Sequence, residues 1–154
     1  MTPATLTPTP VPPPPPHGGE TYRLAVPNTA SAPKIAREFL GTLLRVSRHD
    51  ALADDARLCV TELVTNAHRH TRTHRIGVTV AVNRKRITVY VTDDAPWSLP
   101  VPSTTPREHE LGCGQGVFLL DRVAEAWGAT IYGGLSPSHK AVWFTLARAG
   151  TAPA

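Results

Sequence analysis

Two runs of alternating apolar residues constrain this chain more than any other feature. "IGVTVAV" puts Ile76, Val78, Val80 and Val82 on one side of an extended segment, and "RITVYVT" does the same with Ile87, Val89 and Val91. Only "NRK" separates them. A period of two predicts strands with one buried face, and so short a link closes them into a hairpin. A two-stranded hairpin is marginal alone, so its apolar face must be covered by other parts of the chain.

The remaining segments supply candidates for that cover. "TYRLAV" is a further strand, with Tyr22, Leu24 and Val26 alternating and Pro27 closing it. "NTASAPKIAREFLGTLLRVS" predicts a helix with cap candidates Asn28, Thr29 and Ser31, an early Pro33, and a stripe of Ile35, Phe39, Leu43 and Val46. A second helix is expected over 51–69 through Leu52, Ala56, Val60, Leu63, Val64 and Ala67. After the hairpin comes the long loop "DDAPWSLPVPSTTPREHELGCGQG". A loop of such length inside a compact domain usually serves function. "VFLLDRVAEAWG" predicts a third helix through Val117, Leu120, Val123 and Ala124, with Trp127 ending its stripe and Gly128 stopping it. "ATIYG" and "KAVWFTLA" are two last strands joined by "GLSPSH", with Trp143 expected in the core. The order β, α, α, β, β, loop, α, β, β predicts an α+β fold. It is a two-layer sandwich whose mixed, mostly antiparallel sheet is covered on one face by helices.

Of the sixteen prolines, eight fall in residues 1–19, which cannot bury apolar surface and are expected to form a disordered Pro-rich tail. One domain is expected over 20–147, followed by a disordered tail over 148–154. The formal charge of +4 permits anionic partners without demanding them. A nucleic-acid role would rest on that charge and "NRKR" alone, and is set aside. Cys59 and Cys113 make neither a disulfide framework nor a metal-type pair, which fits a reducing compartment. The N-terminus shows no signal-peptide pattern, and no apolar run is long enough to span a bilayer. A soluble cytoplasmic protein without membrane contact is the expectation.

Three short stretches carry chemistry. In "CVTELVTNAHRHT", Glu62 and Asn66 lie four residues apart and so share a helical face. The pair either faces solvent, or it forms a site where the amide oxygen ligates a hard cation and the carboxylate acts as a base. In "GCGQG", Gly112, Gly114 and Gly116 run into a helix start, where free N–H groups attract anions. The alternative is a plain hinge, and the spacing is not the dinucleotide fingerprint. In "VYVTDDAP" a strand ends on Asp93 and Asp94. A carboxylate there either builds a turn or accepts a hydrogen bond from an exocyclic amine such as adenine's.

The order and spacing of the three stretches resemble the GHKL superfamily of ATP-binding domains, shared by histidine kinases, heat-shock chaperones, DNA gyrase and mismatch-repair proteins. "ELVTNA" looks like the family's N box, "DDAP" like its first glycine box and "GCGQGV" like its second. Together with "VTDDAPWSLPVP", "GQGVFLLDRVAEAWG" and "KAVWFTL", the likeness is closest to the anti-sigma-factor serine/threonine kinases of bacterial partner-switching systems, over roughly residues 20–147.

The resemblance implies a histidine-kinase-like ATPase fold, ATP and Mg²⁺ as cofactors, and a sigma factor or an antagonist protein as partner. That branch is often dimeric, which leaves a homodimer open for this chain. The resemblance makes Glu62 the catalytic base, Asn66 the Mg²⁺ ligand and Asp93 the adenine reader. Gly112, Gly114, Gln115, Gly116 and Val117 become the phosphate-wrapping segment, and Lys140 a further nucleotide contact. Two positions depart from the family pattern: Ala95 stands where the first box has Gly, and Gln115 where the second box has Arg. Both leave room for a catalytically silent nucleotide- or protein-binding switch. His68, His70 and His74 are better read as a basic helix end than as a metal cluster. Trp97, in the long loop, is expected against nucleotide or partner.

Overall fold

The computed structural model describes residues 8–9, 19–98 and 115–148, with the backbone alone at 8–9 and 115–118. The elements are β1 (Pro8–Thr9), β2 (Glu20–Pro27), α1 (Ala32–Val46), α2 (Asp50–His70), β3 (Arg75–Val82), β4 (Arg86–Asp93), α3 (Gln115–Val123), β5 (Ala126–Tyr132) and β6 (His139–Ala147). The expected Gly112 and Gly114 lie outside the described residues.

The hairpin forms as its alternation demands. Strands β3 and β4 pair antiparallel with Val80 opposite Val89, and Asn83 Oδ1 closes the link by accepting from the N–H groups of Lys85 and Arg86. Around it the sheet runs β1-β5-β6-β4-β3-β2, antiparallel except for the two-residue bridge of β1 to β5. Ile76, Val78, Val80, Ile87, Val89, Val142 and Phe144 turn to one face and join the helices in one core cluster. The α+β sandwich is therefore the observed fold. Among the described residues no helix is long and apolar enough to cross a membrane.

Helix α2 buries all six residues of its expected stripe. Helix α1 does not. Its buried residues are Ala32, Ala36, Leu40, Leu43 and Leu44, while Ile35 and Val46 are exposed. The alanines explain the rotation: small side chains let α1 approach α2 closely, and the two leucines at 43 and 44 then lie on the contact side. Ser31 takes the N-cap position without a side-chain bond. Asn28 instead braces three elements. Its amide donates to Thr73 O at 2.8 Å and its Oδ1 faces His68 Nδ1 at 2.7 Å.

The third helix ends earlier than its pattern suggests. Ala126–Gly128 belong to β5, with Trp127 opposite Phe144 in the ladder. The apolar period of "VAEAWG" suits a helix locally, but pairing with the central strand β6 overrides it. Gly128 is thus a strand residue, and the required glycine lies later. Gly133 has φ +107°, and a side chain there would meet Ser136 O at 2.4 Å. Trp143 is buried, but not in the core under the helices. It stands on the opposite face of β6, level with Tyr90 of β4.

Candidate functional site

Asp93 and Lys140 occupy directly opposed positions at the end of β4 and the start of β6. Asp93 continues the series Ile87, Val89, Val91, and Lys140 the series Leu146, Phe144, Val142, so both charges point to the helix-covered face. They are 5% and 3% exposed. Such burial requires pairing, and the pairing is complete. Lys140 Nζ donates to Asp93 Oδ1 and Oδ2, each at 2.8 Å, and to Ala95 O at 3.0 Å. Ala95 N donates to Asp93 Oδ1 at 2.8 Å, and Ser98 N to Ala95 O at 3.1 Å. The strand-end aspartate therefore builds an Asx-type turn and is gripped by an ammonium group.

Ala95 sits easily where the family pattern has glycine. Among the described residues only Arg48 combines a side chain with positive φ, so the turn asks no left-handed backbone of residue 95. Ala95→Gly is accordingly expected to lower stability by about 0.4–1 kcal/mol through the freer unfolded chain. Urea melts of the two proteins check this; a more stable glycine variant would show hidden strain at the site.

Glu62 and Asn66 lie on α2, which packs against β4, β6 and α3. Both are half-buried. Their neighbours Thr61 and Thr65 satisfy themselves within the helix, donating to Arg57 O and Thr61 O at 2.6 Å. Glu62 and Asn66 do not: among the described residues neither side chain has a hydrogen-bond partner. Burial raises the Glu62 pKa above the usual glutamate value, partly opposed by the Arg69 guanidinium. A carboxyl so tuned is a better proton acceptor than an exposed one. The free amide oxygen of Asn66 is the hard-ligand type that suits Mg²⁺.

One turn earlier, Cys59 is fully buried, and its thiol pKa is pushed up to about 12 by burial and by the carboxylates of Asp55 and Glu62. It is expected to resist iodoacetamide at pH 8 until the chain unfolds, as peptide mass mapping with and without denaturant would show. Rapid labelling of the native protein would mean that α2 opens readily.

Gln115, Gly116 and Val117 form the first turn of α3. The N–H groups of such a turn lack partners within the helix. Trp97 is 77% exposed. His68 is engaged by Asn28, and no group of three candidate ligands for a metal ion occurs among the described residues. The structure thus unites Asp93, Ala95 and Lys140 in one cluster and places Glu62 and Asn66 together on one helix face. Sequence reasoning missed the Asp93–Lys140 pairing. The available signal was two opposite charges at the ends of otherwise apolar strand faces.

Among curated proteins no relative matches this chain. The family described as Histidine kinase-like ATPase domain matches residues 26–145, which takes in Glu62, Asn66, Asp93, Gln115 and Lys140. With five antiparallel strands in its six-stranded sheet, its helical layer and that match over most of its length, the chain belongs to the histidine kinase-like ATPase domain family.

Proposed function

We propose that this protein is an ATP- and Mg²⁺-dependent regulatory kinase of the bacterial cytoplasm. It phosphorylates a serine or threonine of an antagonist protein and sequesters a sigma factor. The observation that carries the reading is the half-buried pair Glu62 and Asn66 on α2, without hydrogen-bond partners among the described residues, in a domain of the ATPase family.

In this reading Asp93 accepts a hydrogen bond from the adenine amine. Backbone N–H groups at the start of α3 hold phosphate oxygens. Asn66 Oδ1 would hold the metal, which when bound supplies positive charge beside the phosphates. Glu62 takes the proton of the substrate hydroxyl as its oxygen forms a bond to the γ-phosphorus. The bond from that phosphorus to the β–γ bridging oxygen breaks, and ADP departs.

The test is incubation with labelled ATP, Mg²⁺ and candidate antagonist proteins. Label should pass to the antagonist from the wild type and not from Glu62→Ala. Equal labelling by both, or by neither, refutes the kinase reading. A second reading, a switch that binds without transferring, is favoured by Gln115, which brings no positive charge to the phosphates where the family pattern has Arg. Calorimetric binding of ATP and ADP without any turnover would select it.

A further inference from the structure

The hydrogen-bond capacity of the Asp93–Lys140 cluster can be counted. An ammonium group has three hydrogens, and Lys140 directs them to Asp93 Oδ1, Asp93 Oδ2 and Ala95 O. None remains for a ligand, so Lys140 serves the carboxylate and not the nucleotide directly. An ionised carboxylate accepts about four hydrogen bonds. Asp93 Oδ1 takes Ala95 N and Lys140, and Oδ2 takes Lys140. Among the described residues one acceptor position stays open, on Oδ2. The cluster offers a ligand one acceptor and refuses any group that itself needs a donor.

We infer that Lys140 is a specificity-determining positioning residue: by fixing both oxygens of the Asp93 carboxylate it holds an acceptor toward the base and makes the site take a 6-amino purine and reject a 6-keto purine. The inference rests on the proposed reading that Asp93 faces the base. The chemistry follows from the purine edges. Adenine presents an amine donor at the 6-position, whereas hypoxanthine and guanine present an oxygen acceptor there. Two acceptors facing each other in a buried site leave both unpaired, which a polar pocket penalises heavily. Without its ammonium partner the carboxylate loses the group that fixes both its oxygens, and its open acceptor is no longer held toward the 6-amine.

The experiment compares binding of ATP and inosine triphosphate, which differ in ring substituent at the 6-position, by calorimetry on the full chain. Wild type is expected to prefer ATP by about 100-fold or more. Lys140→Met should narrow that ratio by about tenfold or more, chiefly through weaker ATP binding. A packing defect alone would weaken both ligands together and leave the ratio where it was.

Where Lys140→Met does not fold, Asp93→Asn and the double variant Asp93→Asn/Lys140→Met carry the test, since removing both charges leaves none unpaired. Their ratios should be equal, because Lys140 acts only through Asp93. An unchanged ratio in Lys140→Met, or a further shift on adding Lys140→Met to Asp93→Asn, overturns the inference while the nucleotide reading stands. A wild type that binds neither triphosphate, or both alike, overturns the nucleotide reading itself.

Discussion

Glu62→Gln is expected to slow phosphoryl transfer by about two to four orders of magnitude and, at neutral pH, to make the folded domain harder to melt. The two effects share a cause. Burial raises the Glu62 pKa in the folded chain above its unfolded value. The folded state therefore binds this proton more tightly than the unfolded state does. The contribution of Glu62 to stability is fully present below the unfolded pKa, near 4.3, and is lost as pH rises through the folded one. At neutral pH the ionised side chain is a net cost, moderated by its partial exposure. Glutamine has the same shape without the charge. Thermal scans should show a higher Tm for Glu62→Gln at pH 7.5 and no difference near pH 4. The wild-type rate should fall on the acid side through a pKa above the ordinary glutamate value, because only the ionised form accepts the proton. Wild-type rates in Glu62→Gln would remove Glu62 from the chemistry, and a lower Tm at pH 7.5 would contradict its buried charge.

The second large effect concerns the sheet itself. Lys140→Met should destabilise the domain by about 3–5 kcal/mol, a large share of the roughly 5–15 kcal/mol that holds a domain of this size together. The loss comes from Asp93, left buried without its partner. Asp93→Asn/Lys140→Met should recover most of it, since the cost lies in an unmatched charge and not in the absence of a pair. Urea titrations of the single and double variants give the coupling energy directly. If the single variant melts with wild-type midpoint, water reaches Asp93 and the pair is not desolvated as its exposure indicates.

What could be read in advance divides along physical lines. The strands of the hairpin and the stripe of α2 were legible because burial of one face writes its period into Ile76 to Val82 and Leu52 to Ala67. Glu62 and Asn66 were legible as a pair because i, i+4 spacing is a local property of the helix. The face of α1 was not, because which of Ile35 or Leu40 turns inward depends on how closely α2 lets it approach. Trp127 was misplaced for a similar reason. Its own neighbours favour a helix, and only pairing with Phe144 of β6, seventeen residues on, makes it a strand residue. Lys140 was placed near the site, but its pairing with Asp93 was not legible, since that partner lies 47 positions away and is set by strand register alone. Non-local pairing is the part of a fold that a single sequence hides best.

The opposed positions of Asp93 and Lys140 also bear on how such a chain can diverge. Each charge is tolerable only while the other is present, so neither can be lost first without a poorly folded intermediate. A descendant that no longer needs a nucleotide would keep this aspartate long after the ligand had gone, held in place by the lysine across the sheet. Retention of Asp93 in a relative is thus weak testimony that the relative still binds ATP. Glu62 and Asn66 of α2, which no partner protects among the described residues, would be the first to drift and are the better record of use.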